Sequence, residues 1–228
     1  MRGIESPRLR RWLRVLLPAV VMPAVVLGGA LVLDERRHLF VSVAVAACAV
    51  LLFLAGIERR RIGSRRMVIA AVMIALCVVG RLIPFFKPVT ALTVITAIYL
   101  GGETGFLVGA MSALLSNFYF GQGPWTPFQM LAWGLIGLFA GLLARPLKKS
   151  RAFLLCYGLL SGLLFSLVMD VWTVLWYNGR FDPALWLAAM GTALPHTVLY
   201  AVSNFAFLWL LARPIGEKLE RVRIKYGL

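Results

Sequence analysis

Only one acid of the chain, Asp170, stands well inside a long apolar run; the other eight fall in loops, turns or tails. A carboxylate in hydrocarbon costs at least a few kcal/mol unless something partners it, so Asp170 marks either a ligand contact or a polar tie between helices. Two side chains at similar depth are the expected partners. His196 follows Pro195 on the last apolar run, and Arg81 closes the apolar run that begins at Met67. Asn204 lies further along the His196 run. An imidazole beside a proline can also serve the backbone groups that the proline frees.

A second constellation lies at residues 118–129, Phe-Tyr-Phe-Gly-Gln-Gly-Pro-Trp-Thr-Pro-Phe-Gln. Gly121, Gly123, Pro124 and Pro127 break helical continuation, while both prolines suit the first turn of the next helix. That helix start would turn its free N–H groups and positive dipole end toward the loop, where a polar or anionic ligand group is favoured. Trp125 supplies a flat face, and Asn117, Gln122 and Gln129 supply both donors and acceptors. Trp133, Trp172, Trp176 and Trp186 bring five of the seven tryptophans to the same side, with Asn178 beside them. An interfacial aromatic belt and the wall of an aromatic-lined pocket both fit this composition. Arg81, Lys87 and Arg180 at the same mouth favour a ligand with a negative group, or act as snorkelling anchors.

Nothing in the chain has the form of a catalytic motif. There is no Gly-rich phosphate loop, no HExxH, no paired Asp-rich motif and no nucleophile with a base. Cys48, Cys77 and Cys156 stand singly in apolar segments, without paired spacing for a metal or redox centre, and read as small core residues. No cofactor is expected.

The elements that must position these groups are membrane helices. The chain has 228 residues, 61% of them hydrophobic and 14% charged, with mean hydropathy +0.87. Such a composition leaves little room for a soluble domain. A net charge of +15 would suggest nucleic acid in a soluble protein, but the basic residues are distributed by gap. Nineteen of the 24 fall in alternate gaps: the N-terminal segment, Arg59–Arg66, Arg145–Arg151 and Arg213–Lys225. Only five (Arg36, Arg37, Arg81, Lys87, Arg180) occupy the other set, a bias that the positive-inside rule reads as orientation. The charge therefore records topology and some attraction to anionic lipid, and nucleic acid is not an expected partner.

Spans are expected at 13–33 and 39–57, joined by the polar turn Asp34–His38, with Pro18 and Pro23 kinking the first. Glu58–Arg66 reads as a linker. Six core helices follow at about 67–83, 89–101, 104–119, 127–145, 152–177 and 184–212. The second and third are short for a straight crossing and so must be tilted, broken or shielded. The fold class is all-α integral membrane, with eight spans and both termini cytoplasmic. Residues 1–64 form a two-helix extension with its basic linker, and residues 65–228 form the six-helix domain with a basic tail. Gly101, Gly105, Gly109 and Ala113 make an every-fourth stripe, repeated by Gly137 and Gly141, which lets helix backbones approach closely. Ala71 and Ala75 repeat the spacing on the first core helix, beside an Arg-rich entry.

A charged entry followed by Ala71-xxx-Ala75, six core helices with short second and third members, and the loop Phe-Gly-Gln-Gly-Pro-Trp-Thr-Pro leading to Gln129-Met-Leu-Ala-Trp133-Gly together resemble the substrate-binding S component of energy-coupling factor (ECF) transporters. These are bacterial vitamin importers. The resemblance covers residues 65–212 and implies a non-catalytic subunit of the bacterial cell membrane. It also implies the partners, a transmembrane T component docking on Ala71 and Ala75 and two cytosolic ATPases. The ligand, a vitamin or precursor, would sit near the outer face under the loops at 84–88, 120–126 and 178–183. By this resemblance Arg81, Lys87, Asn117, Gln122, Trp125, Gln129, Trp133, Asp170, Trp172, Trp176, Asn178 and His196 are the substrate-binding candidates, and cobalamin or a related heteroaromatic precursor is the expected ligand. An intramembrane enzyme acting on a lipid or peptide, and a membrane scaffold docking through the alanines, are the competing readings.

Overall fold

The computed structural model describes residues 6–32, 38–56 and 60–227, and among them every regular element is helical. The first apolar run is α1 (Pro7–Leu16), a π-helical turn (Leu17–Val21) and α2 (Met22–Val32). Prolines 18 and 23 lack the N–H that an α-helix needs, and the wider turn absorbs the break where a kink was expected. Helix α3 is His38–Ala55. Most of the Asp34–His38 turn, together with Glu58 and Arg59 of the expected linker, lies outside the described residues. The rest of that linker is not a loop. From Arg60 it already belongs to α4 (Arg60–Gly80), because Arg is a good helix former and one Gly-Ser pair is too little to break the turn.

The core continues with α5 (Val89–Leu100), α6 (Gly102–Phe120), α7 (Thr126–Leu142), a one-turn α8 (Ala144–Lys149), α9 (Arg151–Asn178) and α10 (Pro183–Tyr226). Side chains cap two of the starts: Ser150 accepts the Phe153 N–H, and Asp182 accepts those of Ala184 and Leu185. Helix α10 overruns the expected end at 212 and passes through Pro214 to Tyr226. Ion pairs Arg213–Glu217 (3.0 Å) and Lys148–Glu220 (3.1 Å) hold the emergent turns, the second tying α10 to the α8 end. The run Arg8–Leu31 and helices α3, α9 and α10 are each long and apolar enough to cross a bilayer.

Helix α5 is the centre of the bundle. Its 12 residues rise only about 18 Å, short of a bilayer core of about 30 Å, and every residue from Val89 to Ile98 is buried. It is shielded by α4, α6, α7 and α10, and its threonines are buried with the aliphatic side chains. Helices α6 and α7 meet through the glycine stripe. A Cβ added at Gly109 would stand 2.5 Å from the Trp133 carbonyl oxygen, and one at Gly137 would stand 2.5 Å from the Gly105 carbonyl.

The N-terminal helices pack on α6, α7 and α9. Their contact is pinned by the Arg14–Glu103 ion pair (2.9 Å) at the first turn of α6. Arg10 donates to the Ala55 carbonyl at 3.1 Å. On α4, Ala71 and Ala75 are exposed among Val68, Val72, Leu76 and Val79. Cys77 is buried and Cys48 half-buried, but Cys156 lies on the surface of α9 and is no core residue.

Because the neighbour of Gly109 is backbone and cannot yield, Gly109→Ala is expected to lower stability by about 1–3 kcal/mol. At Gly28, where nothing lies within 4 Å of an added Cβ, the same change should be neutral or stabilising. Thermal unfolding in detergent measures both.

Candidate functional site

A cavity of about 450 Å³ opens between the end of α4, the 84–88 segment and helices α7, α9 and α10. Arg81 and Lys87 line one side with Gln129 and Trp133, which are one helical turn apart on α7. Helix α9 contributes Asp170 with Ser166 and Thr173, and α10 contributes Thr192, His196 and Tyr200. The spacing explains each set: 166, 170 and 173 share a face of α9, as 192, 196 and 200 do on α10.

Three aromatic rings stack in a column beside these groups. Phe165 stacks on Tyr200 (4.8 Å, 9°) and leans on Trp133 (4.8 Å, 33°). The Trp133 indole N–H donates to Thr90 at 3.2 Å, which fixes the ring through the enclosed helix α5. The 84–88 segment is held in turn by Ser203, which accepts the Lys87 N–H at 2.9 Å.

Arg81 is 8% exposed and lies over the rings of Phe120 (5.1 Å) and Trp133 (5.3 Å). Its Nη1 donates to Ser116 and, at 2.6 Å, to Asn117 Oδ1, while its Nε is buried with no partner. Burial, and then the charge of Arg81, holds the Lys87 ammonium below the usual lysine range. The expected pairing of Asp170 with Arg81 or His196 is not made: all three line the cavity, but no ion pair joins them. Arg81 Nη1 instead donates to neutral acceptors on α6, which approach more closely than α9 does.

Six of the twelve candidates, Arg81, Lys87, Gln129, Trp133, Asp170 and His196, thus come together in one cavity. Asn117 stands behind it, donating to Thr126 Oγ1 (2.8 Å) and to Gln129 Oε1 (2.9 Å). Gln122 belongs to the outer loop, where it donates to the Leu114 carbonyl (2.8 Å) and accepts from Thr126 (3.0 Å). Trp125 meets Trp172 edge-on at 5.8 Å. Trp172 and Trp176 line a second, smaller cavity of about 260 Å³, shared with Val26, His38 and Phe128. The helix accounts for this, since Trp172 is two residues from Asp170 and so about 200° around α9. Asn178 makes a local bond to the Arg180 carbonyl (3.2 Å). Tyr200, Phe165 and Thr173 were missed as candidates, although Tyr200 lies four residues from His196 and Thr173 three from Asp170.

An all-helical bundle with membrane-length apolar helices and an open cavity lined by aromatic and donor side chains fits a membrane protein that binds a small molecule. The family described as ECF-type riboflavin transporter, S component, matches residues 61–221, most of the chain, and the protein therefore belongs to the S components of ECF transporters. Subunits of this family bind substrate for vitamin transport, alongside a T component and ATPases, and are not enzymes. Comparison with curated proteins and with solved structures gives no match. Among the described residues no cluster of His, Cys, Asp or Glu could hold a metal ion.

Replacing Arg81 by Met would leave the Asn117 carbonyl buried without its donor. Such orphaned acceptors cost about 1–3 kcal/mol, which a lowered unfolding temperature in detergent would register.

Proposed function

We propose that this chain captures a flat heteroaromatic vitamin of riboflavin's class in the 450 Å³ cavity and presents it for import driven by a T component and two cytosolic ATPases. The observation that carries this reading is the meeting in one cavity of an aromatic column (Trp133, Phe165, Tyr200), donors from Lys87 and Gln129, and a carboxylate, Asp170. A fused ring system would stack at the half-buried Tyr200 end of the column while its polar edge and hydroxyl groups reach those side chains. The description of the matching family, which names riboflavin, supports this choice. Cobalamin, the ligand expected from the resemblance and the tryptophan and amide content, is bulkier than a cavity of this size accommodates readily.

In this reading the eight spans keep both termini in the cytoplasm of a bacterial cell membrane, which puts the cavity on the outer side. The chain divides into an extension (1–64) and a binding domain (65–228), a reading supported by the family match over residues 61–221. Ala71 and Ala75, exposed on α4 amid aliphatic side chains, are the face that docks on the T component. Small side chains there permit close helix contact. The remaining candidates, Trp125, Trp172, Trp176, Gln122 and Asn178, support the outer rim without touching the ligand.

Flavin fluorescence is quenched on stacking, so titration of riboflavin with purified protein tests this directly. Trp133→Ala and Asp170→Asn are each expected to weaken binding about tenfold or more, and Trp172→Ala less than about threefold. Equal losses from Trp133→Ala and Trp172→Ala would move the site to the other cavity. Separately, Ala71→Trp should abolish co-purification with the T component while leaving riboflavin affinity intact.

A further inference from the structure

We infer that Asn117, which does not line the cavity, is a positioning residue that fixes the polarity of Gln129, so that the wall carrying Arg81 reads an edge of hydrogen-bond acceptors on the ligand. The inference rests on the proposed function and adds the orientation in which the ligand must sit.

The argument follows the direction of donation. A guanidinium can only donate, so the Asn117 atom that faces Arg81 at 2.6 Å must be the carboxamide oxygen. The Asn117 nitrogen then points away, and its two hydrogens go to Thr126 Oγ1 (2.8 Å) and Gln129 Oε1 (2.9 Å). Thr126 takes a second bond from the Gly123 N–H (3.3 Å) and passes its own proton to Gln122 Oε1 (3.0 Å), so the branch through the outer loop runs in the same sense. Gln129 is left with its oxygen turned toward α6 and its –NH₂ with no acceptor among the described residues. Because Gln129 lines the cavity, that –NH₂ is a donor offered to whatever binds.

A second donor stands beside it, since Lys87 lines the same cavity, while the Arg81 guanidinium, only 8% exposed and with its Nε sealed from solvent, backs the pair with its charge. No ion pair joins Asp170 to either basic residue. Two donors backed by a positive charge are complementary to a heterocycle edge that carries adjacent carbonyl oxygens and ring nitrogens, as the pyrimidinedione edge of a flavin does. Asp170, with Ser166 and Thr173, is left to take the donors of a hydroxylated tail.

The test is Asn117→Asp, assayed with riboflavin. The new carboxylate still accepts from Arg81, with added charge assistance, so folding should persist. It cannot donate, however, and Gln129 must turn its –NH₂ toward it and its oxygen toward the ligand. The expected result is a Kd raised about tenfold or more, with the carbonyl stretch of bound flavin moved to higher frequency as a donor is lost. Gln129→Glu, which presents a carboxylate oxygen to the ligand while still accepting from Asn117, should do the same. Gln129→Ala, which removes the donor without opposing the ligand, should cost less than either. Should Asn117→Asp fail to fold, Gln129→Glu and Gln129→Ala carry the test alone. Riboflavin bound by the wild type, and bound within threefold as tightly by the Glu and Asp variants at an unchanged carbonyl frequency, would overturn the inference and leave the proposed function standing. No binding by the wild type would overturn both.

Discussion

A guanidinium shut into the wall of a membrane protein with no carboxylate against it is the constraint from which the site follows. Arg81 cannot be left in that position without acceptors, and a hydroxyl and a carboxamide of α6 meet the need. Meeting it orients Asn117, and through Asn117 the Thr126 and Gln129 side chains at the head of α7. The rings of Phe120 and Trp133 on either side accept part of the charge through their faces. The same group therefore organises the outer loop, the entry of α7 and the polarity of the cavity wall.

That arrangement is possible only because α6 and α7 approach to backbone distance. The glycines at 105, 109 and 137 leave no room for a side chain between the helices, and this brings Asn117 within reach of two residues near the start of α7. Helix α5, enclosed by its neighbours, supplies Thr90 to the Trp133 indole, so even the aromatic column is referred back to the most buried element. Other hydroxyls inside the bundle, such as Thr96 and Ser112, donate to the carbonyl four residues earlier on their own helix and ask nothing of neighbours.

Much of this is legible in the chain alone. Hydrophobic length, the glycine stripe and the Phe118–Gln129 segment predict the order of the core helices to within a few residues, because these features depend on local chemistry. Pro214 misleads, since a proline ends a helix only where its lost bond is not compensated by tertiary contact, and here Glu217 and Glu220 hold the helix beyond it. Asp170 and His196 line one cavity but make no direct bond, because depth along a helix says nothing about the distance across it. The tryptophans show what was readable but passed over. Trp172 and Trp176 lie on one face of α9 and Asp170 on nearly the opposite one, which helical geometry alone reveals. Which amide oxygen faces Arg81, by contrast, depends on a contact between α4 and α6 that no spacing in the chain encodes.

Helix α10 runs without interruption from the cavity to the tail. Residues 196 to 225 span about 44 Å at 1.5 Å per residue. Pro195 sits at the cavity end, and Gly216 lies against the Tyr99 ring further along. Each degree of tilt about His196 carries the region near Lys225 through about 0.8 Å, so the helix is a lever whose short arm lines the cavity and whose long arm ends beyond Pro214.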